Sequence, residues 1–129
     1  MNFFRFIPLI TVMGIIFFLS SQLGDSIHLP DIPDLDKGLH SIAYGVLALS
    51  VLFAVPEQQY QANPYWISGL VVLFCLLYGI SDEFHQSFVP GRFSSVLDLV
   101  ADTIGAVVVV FVWFRMKKQG SGPRGQSIQ

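Results

Sequence analysis

The stretch VLDLVADTIGAVVVVFVWF, residues 96–114, is apolar save for Asp98, Asp102 and Thr103, and Arg115, Lys117 and Lys118 follow it closely. It is long enough to cross a bilayer as one helix, which takes about 17–25 residues. Three more runs of the same character lie upstream. Residues 6–24 follow Arg5, residues 38–56 lie between Lys37 and Glu57, and residues 65–80 precede Asp82 and Glu83. None alternates apolar and polar residues over the roughly 9–11 positions that a barrel strand needs. The pattern predicts an all-α integral membrane bundle of four transmembrane helices.

Composition agrees. Of 129 residues, 53% are hydrophobic and only 12% charged, where a soluble domain carries about 25% charge. Mean hydropathy is +0.61. The net charge of −2 leaves no basic face for phosphate backbones, which argues against nucleic acid as a partner. The single Cys75 sits in an apolar run and reads as packing.

The first run resembles a secretory signal in having Arg5 ahead of an apolar segment. It is long for one, and Ser20-Ser21-Gln22 is no small-x-small cleavage site, so a retained first helix is expected. The connections are short: an acidic, Pro-punctuated loop from Asp25 to Asp34, a polar one from Glu57 to Pro64, and Val89-Pro90-Gly91-Arg92, which reads as a type II turn. Residues 1–118 form one domain in this reading, and the Gly/Ser/Pro/Gln segment 119–129 is expected to be disordered. Arg115, Lys117, Lys118 and Arg124 place the C-terminus in the cytoplasm, and four spans return the N-terminus with Arg5 to the same side. The expected orientation is therefore N-in/C-in.

Depth follows from the helical rise of about 1.5 Å per residue. His40, Asp82 and Asp98 come out about 24–26 Å above the inner boundary, and Tyr44 and Asp102 about 20 Å above it. All lie in one layer near the outer edge of a hydrocarbon core about 30 Å thick. Asp36, His40 and Tyr44 recur every four residues, as do Asp82 and Gln86, and Asp98 and Asp102. Each set makes one stripe on its helix. Acids are costly against hydrocarbon, so the stripes should face one another and form a polar pocket open to the outer leaflet.

Asp36-Lys37-x-x-His40-x-x-x-Tyr44, then Asp82-Glu83-x-x-Gln86-x-x-x-Pro90-Gly91-Arg92, then Ser95-x-x-Asp98 with Gly105, resembles the VanZ-like family. The resemblance runs from Ser20-Ser21 through the fourth span. It implies a small bacterial multi-pass protein of the inner cell membrane, in a family named for a member linked to teicoplanin resistance. Asp102 departs from the family pattern, which usually has Asn there.

Each residue has a plain structural role to set beside a functional one. Asp36 reads as the cap of the second span ahead of any chemistry. His40 divides evenly between an interhelical hydrogen bond and a functional role. Tyr44 should find a buried hydroxyl partner. Asp82 and Glu83 point about 100° apart on a helix, so Asp82 is taken as the inward residue and Glu83 as the partner of Arg92 or of solvent. His85 is expected at the surface. Ser95-x-x-Asp98 matches a capping box, Gly105 a close helix approach. Asp102, deep in an apolar run, is a functional candidate by default.

The pocket set is thus Asp36, Lys37, His40, Tyr44, Asp82, Glu83, Gln86, Arg92, Asp98 and Asp102. The first expectation is a binding module for a lipid-linked envelope precursor or an anionic lipid head group, received by Arg92, Lys37 and His40. An enzyme acting on a lipid head group is the alternative, and a purely structural polar plug the third reading. No H-E-x-x-H or G-x-S-x-G motif occurs, so no catalytic residue, metal spacing or cofactor is assigned.

Overall fold

The computed structural model describes residues 2–24, 28–30 and 32–122, and these contain helices and no strand. A 3₁₀ turn, Phe3–Phe6, leads into α1, Ile7–Ser20, with Pro8 in the first turn, where its missing N–H costs nothing. Next come α2, Leu35–Ala54, the short α3, Glu57–Ala62, then α4, Pro64–Gln86, and α5, Val96–Gly120. Four of these segments are long and apolar enough to cross a membrane: Phe3–Ser20, Leu35–Ala54, Pro64–Gln86 and Val96–Gly120.

Two details differ from the sequence reading. Residues 57–62, expected as loop, form α3, begun by Glu57 directly after Pro56. The last helix runs to Gly120, two residues into the expected tail, and the rest of that tail lies outside the described residues from 123 onward.

Helices α2 and α5 run parallel and are pressed together. Gly105 packs so closely on the Ser41 backbone that a Cβ there would overlap the Ser41 carbonyl, and Gly45 meets Gly105 and Val109 one turn further on. The Ser41 hydroxyl seals the crossing by donating to the Ala101 carbonyl at 2.7 Å. Small residues allow this approach, and dispersion between backbones then holds the pair, as expected where lipid gives no hydrophobic drive. Helices α1 and α4 run together in the opposite sense, joined by the Tyr78 hydroxyl on the Met13 carbonyl at 2.7 Å.

The core between them holds Tyr44, Leu47, Ala48, Leu52, Val71, Cys75, Ala106 and Val110. The outer faces carry exposed Ile, Leu, Val and Phe on every long helix, the surface a bilayer would cover. Charges mark the two ends. Lys117 donates to Glu57 at 2.7 Å and Arg5 lies over the Phe53 ring at one end, while Lys37 and Arg92 lie at the other.

Candidate functional site

At the Lys37/Arg92 end the polar stripes converge. On α2, His40 directs Nδ1 at Asp102 Oδ1 of α5, 2.9 Å away, with Asp102 almost fully buried. With Asp102 ionised and His40 neutral, Nδ1 carries the hydrogen and Nε2 the lone pair. On α4, Gln86 donates to Asp82 at 3.1 Å and to the Ser20 hydroxyl of α1 at 3.3 Å, which ties three buried groups in one chain.

Glu83 is where the structure departs furthest from the sequence reading. Its side chain is buried and does not pair with Arg92. Oε2 instead accepts the Ser95 N–H at 2.8 Å, at the head of α5. The Ser95 hydroxyl accepts from Leu97 N at 3.2 Å. The cap of α5 is therefore completed by a carboxylate from another helix rather than by Asp98. Asp98, released from that duty, is buried beside His40 and Glu83. One donor atom from each of the three residues lies within 4.8 Å of the others. Asp82 and Glu83 are both interior because α4 has two polar neighbours, α1 on one side and the start of α5 on the other.

Other expectations also change. Asp36 does not cap α2: the helix starts after Asp34, which takes a left-handed φ of 58°, and Asp36 lies in the first turn. Lys37 pairs with Asp34 at 3.5 Å and Asp36 at 3.7 Å and does not itself line the cavity described below. Arg92 follows a turn in which Gly91 has φ 76° and Arg92 N bonds the Val89 carbonyl at 3.1 Å, the conformation the Pro-Gly pair predicts. Its guanidinium donates to the Leu19 and Gln22 carbonyls. His85 is no surface residue; its ring stacks on Phe17 of α1 with centroids 4.8 Å apart. Tyr44, expected to find a partner, has none for its buried hydroxyl, and the same holds for Glu83 Oε1 and Asp102 Oδ2.

A cavity of about 320 Å³ opens beside this cluster, between α1, α2 and α4. Ile16, Leu19, Leu39 and Ala43 give it an apolar wall, and Asp36, His40, Asp82, Gln86 and Arg92 its polar positions. Of the ten residues singled out in the sequence, Lys37, Glu83, Asp98 and Asp102 do not line it. Ser95 was read as a cap, which it is, while Ser20 and Ser41 were missed as site residues. Only Ser41 carried a signal, its place beside His40 on the helix that opposes Gly105.

The VanZ/LLP1 family matches residues 2–117, nearly all of the chain, and the chain belongs to that family. No curated protein and no solved structure matches it.

Proposed function

From membership of the VanZ/LLP1 family, we propose that this multi-pass membrane protein is an amphiphile-binding module of the bacterial inner membrane, with both termini cytoplasmic. Its ligand is a lipid-linked or otherwise anionic envelope lipid. The observation that carries the reading is the cavity wall, apolar along Ile16, Leu19, Leu39 and Ala43 and polar at His40, Asp82, Gln86 and Arg92. Ligand pockets run from about 300 to 1,000 Å³. A volume of about 320 Å³ suits a head-group-proximal segment better than a whole lipid. The basic residues near the Glu57 end support the orientation, since cytoplasmic flanks are enriched in Lys and Arg.

A structural plug accounts less well for the cluster. A plug should satisfy its polar groups, whereas Tyr44, Glu83 and Asp102 each keep a buried unpartnered oxygen. The enzyme reading gains from His40 and Asp102, which have the form of a carboxylate-oriented imidazole base.

The test is native mass spectrometry of the protein released from mild detergent. The wild type should carry bound lipid, and Ala43→Phe, which fills the cavity, should lose it at unchanged thermal stability. Equal lipid on both proteins overturns the proposal. Conversion of the bound lipid during incubation would favour the enzyme.

A further inference from the structure

We propose that His40, Glu83 and Asp98 are the protein ligands of one divalent metal ion of the zinc and manganese class, with Asp102 orienting His40. The three side chains come from three different helices, α2, α4 and α5, and each offers a donor atom within 4.8 Å of the other two. Nitrogen and oxygen ligands sit about 2.0–2.2 Å from a first-row ion, which places donors around it roughly 3–3.6 Å apart. A bound ion would draw the three donors together by the difference.

An independent observation is the state of Glu83. Its residue exposure is 6%. One carboxylate oxygen is committed to the Ser95 N–H, and the other is buried with no partner. A half-used carboxylate in an apolar bundle is expensive. Charge points the same way. Among the described residues, no Lys or Arg lies within 4.0 Å of Asp82, Glu83, Asp98 or Asp102. Four acids thus gather with His40 as the one basic side chain paired to them among the described residues. A dication between Glu83 and Asp98 relieves that excess at its centre.

Asp102 supplies what a ligating histidine normally needs. Metal-bound imidazoles give their second N–H to a carboxylate or carbonyl, which fixes the ring and raises its basicity. In the tautomer with the hydrogen on Nδ1, Asp102 accepts it across 2.9 Å and Nε2 is left for a metal. This also accounts for a buried acid one turn below Asp98. One imidazole with two carboxylates favours a first-row ion over magnesium or calcium, which prefer oxygen alone. Three protein ligands leave coordination positions open, and His40 lies on the cavity wall.

The proposal stands on the donors alone and does not require that the cavity bind lipid. The full-length protein, purified in detergent without a histidine tag and stripped with a chelator, is dialysed against Zn²⁺, Mn²⁺, Mg²⁺ or Ca²⁺ separately. Metal per chain and thermal stability are then measured, and the absorption spectrum is recorded with Co²⁺. Zn²⁺ or Mn²⁺ should bind at one per chain and raise the melting temperature, and Mg²⁺ and Ca²⁺ should do neither. Glu83→Gln and Asp98→Asn should each abolish stoichiometric binding, and His85→Gln should leave it unchanged. Asp102→Asn should keep the stoichiometry, weaken binding by about 10–100-fold and shift the Co²⁺ bands, which a merely structural residue would not do. Folded wild type that takes up none of these ions overturns the proposal, as do Glu83→Gln and Asp98→Asn that both bind like wild type. Should a carboxamide variant fail to fold, the wild-type Co²⁺ spectrum decides: no bands of a bound ion would refute the site.

Discussion

Arg92 closes the end of α1 from the turn that follows α4, its Nη2 donating to the Leu19 carbonyl at 2.6 Å and its Nε to that of Gln22 at 3.1 Å. The last carbonyls of a helix have no partner within it. In this chain a planar guanidinium takes one of them, at Leu19, together with the carbonyl of Gln22 just beyond the helix. Arg92→Ala should therefore cost about 1–3 kcal/mol, the range for hydrogen bonds to a charged group reduced by partial exposure. Arg92→Lys should recover little, because an ammonium lacks the fork. Hydrogen exchange over residues 17–22 is the direct measurement. Unchanged exchange in Arg92→Ala would show that these bonds do not hold α1.

Gly105→Ala should be among the most damaging single changes in the bundle. The added Cβ meets the backbone carbonyl of Ser41, which cannot rotate away. Separation of α2 from α5 follows, with a loss of about 1–3 kcal/mol or more. Gly69→Ala, where nothing lies within 4 Å of the new methyl, should instead be neutral or stabilising by up to about 1 kcal/mol. Thermal unfolding in detergent ranks the two variants.

Asp102 offers a separation of folding from charge. In Asp102→Asn the side-chain carbonyl still accepts from His40 Nδ1, so the melting temperature should stay close to wild type. Asp102→Leu leaves that N–H without its partner, at a cost of about 1–3 kcal/mol. Equal stability of both variants would mean that the pair contributes nothing to the fold.

The orientation is tested by a reporter active only outside the cytoplasm, fused after Gln129. It should give no signal, and the same reporter placed in the turn at Gly91 should give a strong one. Signal from the C-terminal fusion would reverse the membrane sidedness of the cavity.

Glu57 has a pH signature. The hydrogen bond from Lys117, helped by that from Gln61, holds its carboxyl below the ordinary glutamate value. A folded-state value below the unfolded one gives stability above the unfolded pKa and loses it as pH falls through the folded one. Glu57→Gln should thus be slightly less stable than wild type near neutrality, by under about 1 kcal/mol for so exposed a pair. The two proteins should become equal in acid. A difference that persists there would have another cause.

The four spans were legible because a bilayer imposes a length and a composition on each helix, and the stripes because residues four apart share a face. That reasoning brought His40 to Asp102 and Asp82 to Gln86. It failed at Glu83 for a definite reason. One inward direction was assumed for α4, yet that helix meets α1 through Gln86 and the head of α5 through Glu83, so two adjacent residues are both interior. His85 was misjudged in the same way, through Phe17. The donor set of His40, Glu83 and Asp98 has no signature spacing, since its members lie on three helices. Asp36 and Lys37 answer one another locally, a partnership that depth along a helix does not predict.

The parallel crossing of α2 and α5 also has a consequence for how the chain is made. His40 and Ser41 leave the ribosome about sixty residues ahead of the partners that satisfy them, Asp102 and Ala101. Until the last helix enters the membrane, the second must hold a polar face against lipid or against the first helix alone. Arrival of the last helix is then the event that commits the whole assembly. A chain cut short before residue 96 would carry three inserted helices and an unpaired imidazole, a form suited to recognition by membrane proteases.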